Sequence, residues 1–271
     1  HLGRNVVGGA VSLITQEPLP YREAYADILY GSYNQQVLRG AVNTPLNDDL
    51  SFRLSGLLAQ RDGYSRNIFR DEDIDDQDYY AWRGKLRYQP SNKLDVILTA
   101  EQNQQDDSHG MAKQPDPDTG INGGILLGGT VPDDPREVTH NVDQNQYIRN
   151  NLYHTKVTWH ADDFELRSIT AYQNTKQHHA SDLDGTNVDY SSSFPEVDAD
   201  AYSQEFRFGS LPGEEVDWVA GIFLSKEDVT NNEDIRLPIM SIEKVTDSST
   251  YKKSYALFGE LDYTFTEKWQ G

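Results

Sequence analysis

Alternation with a period of two runs through most of this chain, and sustained helical periodicity is hard to find. In Tyr80-Ala-Trp-Arg-Gly-Lys-Leu-Arg-Tyr88 one face collects Tyr80, Trp82, Gly84, Leu86 and Tyr88, while Arg83, Lys85 and Arg87 fall on the other. Successive side chains of a strand point to opposite faces, so this pattern predicts half-buried β-strands. Phe52, Leu54 and Leu58 oppose Arg53, Ser55 and Arg61, and Leu94, Val96, Leu98 and Ala100 oppose Asp95, Thr99 and Glu101. Further on, Tyr202, Phe206 and Phe208 oppose Ser203, Glu205 and Arg207. Tyr255, Leu257, Leu261, Tyr263 and Phe265 oppose Glu260 and Asp262, and the segments around Tyr153–Trp159 and Phe164–Tyr172 alternate less cleanly.

The connections alternate too. Short polar turns are expected at Asn47–Asp49, Pro90–Lys93, Ala161–Asp163, Leu211–Glu215 and Thr266–Lys268, and long polar segments near 62–78, 106–149, 174–200 and 227–252. A first hairpin around Gly31–Asn34 has short connections on both sides. Short and long connections then lie at opposite ends of about ten strands of roughly 9–12 residues, the length that crosses a bilayer at a tilt. Aromatic residues near strand ends, as at Tyr80 and Tyr88, suit a lipid interface. The fold class expected is all-β, an antiparallel transmembrane β-barrel fragment. Its rival is a secreted, soluble all-β protein that binds or cleaves polysaccharide and packs its apolar face on a second sheet. A passive porin is a third reading.

Composition sharpens this reading. The 271 residues are 36 % hydrophobic and 11 % aromatic, with a formal net charge of −20. That acidity argues against nucleic acid, whose phosphates require clustered Lys and Arg. The absence of cysteine removes disulfides and thiolate metal sites. No apolar run reaches the roughly 18 residues of a membrane helix, a criterion blind to barrels.

The opening stretch, His1-Leu-Gly-Arg-Asn-Val-Val-Gly-Gly-Ala-Val-Ser-Leu-Ile-Thr15, superficially suggests a phosphate loop. It lacks the Lys-Ser/Thr that must follow the second glycine, and its glycines are better read as a close backbone turn before an Ala10–Thr15 strand. With Glu17-Pro18, this stretch resembles the C-terminal end of the plug domain of TonB-dependent outer-membrane receptors. Leu29-Tyr-Gly-Ser-Tyr33, Gly40–Leu46, Arg53-Leu-Ser-Gly56, Arg61-Asp-Gly-Tyr64 with Asn67, Ser203–Phe208 and Trp218-Val-Ala-Gly221 continue the likeness in order. The resemblance implies a 22-stranded barrel around a plug, of which residues 1–19 are the plug's end and 20–271 the first ten or so strands, expected as an open curved sheet. Such a fragment has two unpaired edges and is not expected to function as a channel alone.

The same resemblance implies active transport of a scarce nutrient across the bacterial outer membrane. The default cargo is an iron–siderophore complex, with haem, cobalamin and oligosaccharides as competitors; the partners are the TonB–ExbB–ExbD complex and the lipid bilayer. An arginine of the plug segment can face barrel glutamates in this family. Arg4 is therefore matched to Glu205, with Glu101, Glu165 and Glu260 as further lumen-facing carboxylates. The long loops at 106–149 and 174–200 are expected to form part of the ligand vestibule. Loop residues expected to contact ligand are His140, His178, His179, Tyr190 and Phe194. His178 and His179 are adjacent and should point to opposite faces of a strand. The acidic run Asp71–Asp78 lacks the glycine and terminal glutamate of a calcium loop and reads as solvated. No metal site, cofactor or catalytic constellation emerges, so an enzyme is not expected.

Overall fold

The computed structural model describes residues 14–108, 122–211, 216–266 and 269–270. The expected Ala10–Thr15 strand falls outside this set except for Ile14 and Thr15, which form no strand. Arg4, the glycines of the opening stretch and the turn residues 212–215 and 267–268 also lie outside it.

The strands are β1 (Glu23–Gly31), β2 (Gln35–Pro45), β3 (Leu50–Arg61), β4 (Ser65–Asn67), β5 (Glu72–Ile74), β6 (Gln77–Ser91), β7 (Leu94–Ser108) and β8 (Glu137–Val138). They continue as β9 (Asn145–His160), β10 (Glu165–His179), β11 (Ser181–Asp182), β12 (Ser192–Gly209), β13 (Val216–Leu237), β14 (Ile242–Thr266) and β15 (Trp269–Gln270). One short helix, α1 (Gly123–Leu126), sits in the longest loop. The long strands form one antiparallel meander in the order β1-β2-β3-β6-β7-β9-β10-β12-β13-β14-β15, with β11 added to β12. The sheet is open, since β1 at one edge does not pair with β14 or β15 at the other. Loop segments β5, β4 and β8 make a separate small sheet.

The register makes one face apolar. Trp159, Leu166 and Phe208 are direct neighbours across β9, β10 and β12, and so are Tyr153, Tyr172 and Tyr202. The first row continues as a chain of edge contacts from Trp159 to Phe164, Phe208 and Trp218, with centroids 4.7–5.6 Å apart. In the second row Tyr172 stacks on Tyr153 at 6.3 Å and on Tyr202 at 4.6 Å. Six residue steps separate the two rows, about 20 Å along the strand. Between them lie Val157, Leu98, Ile222 and Leu257, and beyond the tyrosine row the same face turns to Asn151, Asn174, Asp200 and Asp228. Among the described residues no second sheet covers this face: Leu257 is 81 % and Ile28 79 % exposed. No two-sheet sandwich is formed among the described residues. An exposed apolar band edged by aromatic rows is what a lipid-facing barrel wall requires.

Two expectations need correction. The strands β6, β7, β9, β10, β12, β13 and β14 run to 15–25 residues, well past the expected length. The segments expected as loops at 174–200 and 227–252 are largely paired: β10 reaches His179, β12 begins at Ser192, and β13 and β14 run to a tight turn at Pro238–Met240. Past the apolar band both faces of a strand are polar, so the hydrophobic alternation disappears while the backbone ladder continues. The short turns between β2 and β3, β6 and β7, and β9 and β10 are where the sequence placed them, and the connection expected over 106–149 is shorter at both ends, since β7 reaches Ser108 and β9 begins at Asn145.

Candidate functional site

The polar face carries an ordered set of charges near the short-turn end. Arg87 makes a two-pronged pair with Asp95 at 2.9 and 2.9 Å, and Arg83 pairs with Glu101. Arg167 pairs with Glu165 at 2.6 Å, and Arg207 with Glu205. Opposed charges on one face attract through a partly buried medium, and paired guanidiniums avoid the cost of isolated charge.

Across this wall runs the extended segment 14–22. Lys85, 7 % exposed, points its ammonium at the segment and donates to Thr15 O at 3.0 Å, Thr15 Oγ1 at 2.8 Å and Gln16 O at 3.1 Å. Lys156 Nζ pairs with Glu17 Oε1 at 2.6 Å. Asn43, 1 % exposed, donates to Leu19 O at 3.0 Å and Tyr21 O at 2.5 Å, and accepts from Leu19 N at 2.9 Å. Pro18 between them is fully buried. A segment without its own secondary structure must satisfy its backbone polar groups elsewhere, and here side chains from β2, β6 and β9 do so. Three strands thus hold one strip of chain against the polar face.

A second assembly joins the loops at the opposite end. Asn67 donates to His140 O at 2.8 Å, and Gln144 donates from its amide to His140 Nδ1. Asp182 accepts from the amides of Asn141, Asp184 and Gly185 at 3.1, 3.1 and 2.8 Å. Asp184 accepts from Thr186 N, Thr186 Oγ1 and Ser191 N at 3.1, 2.6 and 2.9 Å. Asn122, which caps α1, donates to Asp184 O at 2.7 Å. Burial lowers the His140 imidazole from its ordinary value to about 4, against the opposing pull of Asp184 and Asp75. Burial raises Asp182 to about 6, opposed by its backbone donors. This polar knot fixes loops 62–76, 122–144 and 180–191 to one another.

The sequence-expected residues are dispersed. Arg4 lies outside the described residues, and Glu205 sits on the polar face with Arg207. His140 is 2 % exposed inside the loop knot. His178 stacks on Tyr147 at 4.7 Å, on the face shared with the aromatic rows, while His179 falls on the polar face as the alternation requires. Tyr190 packs so close to Gly123 that a Cβ there would meet its ring at 2.2 Å. Phe194 belongs to β12 rather than to a loop, and the Arg236 guanidinium covers its ring at 4.5 Å. The acidic run is partly organised: Arg66 pairs with Asp71 and, at 3.0 Å, with Asp73, and Ser108 donates to Asp76. Among the described residues no group of three or more metal-ligating side chains converges.

Lys85, Lys156 and Asn43 were not singled out from the sequence. Their place on the polar face was legible, but their partners lie 22–139 residues away. Asp182 and Asp184 were equally hidden, although the Asp-Leu-Asp-Gly-Thr run is rich in the side chains that cap turns.

The sheet, with its exposed apolar band and polar inner wall, has the fold of part of an outer-membrane β-barrel. Of the solved structures, the ferric yersiniabactin uptake receptor FyuA from Yersinia pestis matches 94 % of the chain at a TM-score of 0.70 and 14 % identity. The siderophore receptor PiuA from Acinetobacter baumannii matches 94 % at 0.72 and 10 %, and the ferric-catecholate import receptor Fiu from E. coli K12 matches 94 % at 0.70 and 12 %. The chain spans 46, 42 and 44 % of these three proteins. No family model matches it. No described helix is long and apolar enough to cross a membrane, which leaves crossing by strands open.

Proposed function

We propose that this chain is the plug-to-barrel junction and first strands of a TonB-dependent receptor in the bacterial outer membrane. Residues 1–19 are the end of the plug, and the strands from residue 20 onward form the wall. The cargo is a scarce nutrient, most simply an iron–siderophore complex, taken in at the loop end and driven inward by the TonB–ExbB–ExbD complex. The observation that carries this reading is the strip of chain pinned by Lys85, Lys156 and Asn43 to the polar side of a wall whose other side suits lipid. A passive pore has no need of such a strip. The likeness to uptake receptors for ferric yersiniabactin and ferric catecholates supports the iron assignment.

Within this reading Arg4 approaches Glu205, and ligand contacts come from the loop end, including His179 and Tyr190. Exchanging the charges of Arg4 and Glu205 tests that pair: a double exchange that restores nothing lost in the single changes removes it. The function itself is tested by deleting the encoding gene. Growth on ferric siderophores under iron limitation is expected to fail in the deletion strain, to return on complementation, and to require TonB. Unimpaired growth on every ferric chelate tried refutes the iron assignment. Purification of the protein as a stable monomer without detergent refutes the barrel.

A further inference from the structure

The polar wall divides into two tiers. Below the tyrosine row its inward positions are ionic, carrying Lys85, Arg87, Asp95, Lys156, Arg167, Glu205 and Arg207, while Arg83 of β6 and Glu101 of β7, paired with each other, stand one step above the row and level with Gln173. Above that level the inward positions of β7, β9, β10, β12 and β13 contain no lysine or arginine. They carry Asn103, Gln105, Asn150, Gln173, Thr175 and Gln177, interspersed with the apolar Leu152, Ile148 and Val229, with His179 at the rim, and on β12 Ala201, Ala199 and Val197. Several of these form a ladder. Asn150 donates to Asn103 Oδ1 at 3.1 Å, Thr175 Oγ1 donates to Asn150 Oδ1 at 2.7 Å, and Gln173 donates to Thr175 Oγ1 at 3.3 Å.

The charges that do enter this tier on the five strands are acidic: Glu101, which is paired with Arg83 of β6, and the three carboxylates Asp107, Glu227 and Glu233. Nearby cations are engaged. Arg61 donates to Asp75 O at 2.6 Å, Arg66 is held by Asp71 and Asp73, and Arg70 by Glu72 and Asp143. On β14, Lys252 stands directly opposite Glu227, and Lys244 lies further out toward the hairpin turn.

We infer that this upper wall receives an uncharged, oxygen-rich ligand, such as a neutral ferric trihydroxamate, and discriminates against polyanionic chelates. The inference rests on the uptake reading above and names its ligand class. Amide and hydroxyl groups offer paired donors and acceptors that match carbonyl and hydroxyl oxygens without a charge to compensate. A trianionic chelate placed here sheds hydration, meets no free cation on these five strands, and faces three carboxylates. Discrimination by like charge and unpaired desolvation is the usual way a site rejects a near-isostere.

The test uses the detergent-solubilised protein and cells carrying the encoding gene. Binding is measured by tryptophan fluorescence quenching with a neutral ferric trihydroxamate, a trianionic ferric tricatecholate, ferric citrate and a neutral oligosaccharide. The neutral trihydroxamate is expected to bind at least tenfold more tightly than either anionic chelate. Replacing Gln173→Lys together with Gln177→Lys is expected to narrow that ratio by raising affinity for the tricatecholate, with unchanged expression and gel mobility. Equal or tighter binding of the anionic chelates by the unaltered protein overturns the inference and leaves the uptake reading intact. Binding of the oligosaccharide alone upholds the uncharged-ligand class and overturns the iron assignment. Absence of binding by all four, with no growth defect on deletion, overturns both.

Discussion

Replacing Lys85→Met removes the ammonium that holds the strip while keeping most of the stem that packs on the wall. Three interactions disappear at once: those to Thr15 O, Thr15 Oγ1 and Gln16 O. A hydrogen bond from a charged donor is worth about 1.5–3 kcal/mol taken singly, but one ammonium shared three ways does not deliver three times that. Burying the lysine also costs desolvation, which methionine avoids. The net loss is about 2–3 kcal/mol for local release of the strip, a rise of about 30- to 150-fold in its open population. Lys156 with Glu17 and Asn43 with Leu19 and Tyr21 still hold the following residues, so release should be concentrated at Thr15 and Gln16. Hydrogen–deuterium exchange in nanodiscs reads this directly. Peptides covering residues 14–18 should exchange faster by that factor, while β6 and β9 keep their protection. A Lys226→Met control, on the opposite face beside Tyr202, should leave the strip unchanged. If residues 14–18 exchange at the unaltered rate in Lys85→Met, the strip is not held by this side chain and the clamp is wrong.

Other perturbations probe the remaining parts. His140 is neutral in the folded knot and its value lies below that of the unfolded chain, so its stabilisation is full above about pH 6.5 and fades as pH falls toward about 4. Asp182 is displaced upward, so its contribution runs the other way, full below about 3.8 and lost as pH rises through about 6. Exchange protection at the Asn141 amide should therefore change little between pH 6 and 4 in the unaltered protein; in His140→Gln it should rise on acidification, and a fall would refute the assignment. Leu98→Lys puts a charge in the middle of the apolar band and should cost about 2–4 kcal/mol in urea titrations in lipid vesicles. Gln173→Lys, on the inward face, should cost under about 1 kcal/mol, and equal costs would mean that the faces are assigned the wrong way round. At Gly40 a Cβ would come within 2.7 Å of Tyr25 O, so Gly40→Val should loosen β1 from β2 and expose residues 23–31 to protease.

The legibility of this protein follows from where its environment changes. Between the aromatic rows each strand separates an apolar face from a polar one, and that contrast is written into the chain as alternation, as in Tyr80 to Tyr88 and Phe206 to Phe208. Above the tyrosine row the contrast ends. Lys226, Asp228 and Thr230 alternate with Glu227, Val229 and Asn231 along β13, and a hydrophobicity pattern has no reason to distinguish this from a loop. What keeps these residues paired is the hydrogen-bond ladder continuing from a strand already held in register, a cooperative effect with little local signature. The clamp was hidden for a different reason. Lys85 is one of three cations alternating along β6, and nothing local distinguishes it from Arg83, which turns to Glu101, or Arg87, which turns to Asp95. Its role is fixed by which neighbour lies closest once β6 is seated between β3 and β7: Lys85 meets the backbone of Thr15 and Gln16. The tiering of the wall was legible in principle, because strand parity assigns Asn103, Asn150, Gln173 and Gln177 to one face. It gains chemical meaning only when register sets Asn103 and Asn150 level with Thr175, between Gln173 and Gln177, with most of the ion pairs below and the carboxylates of β13 beside them.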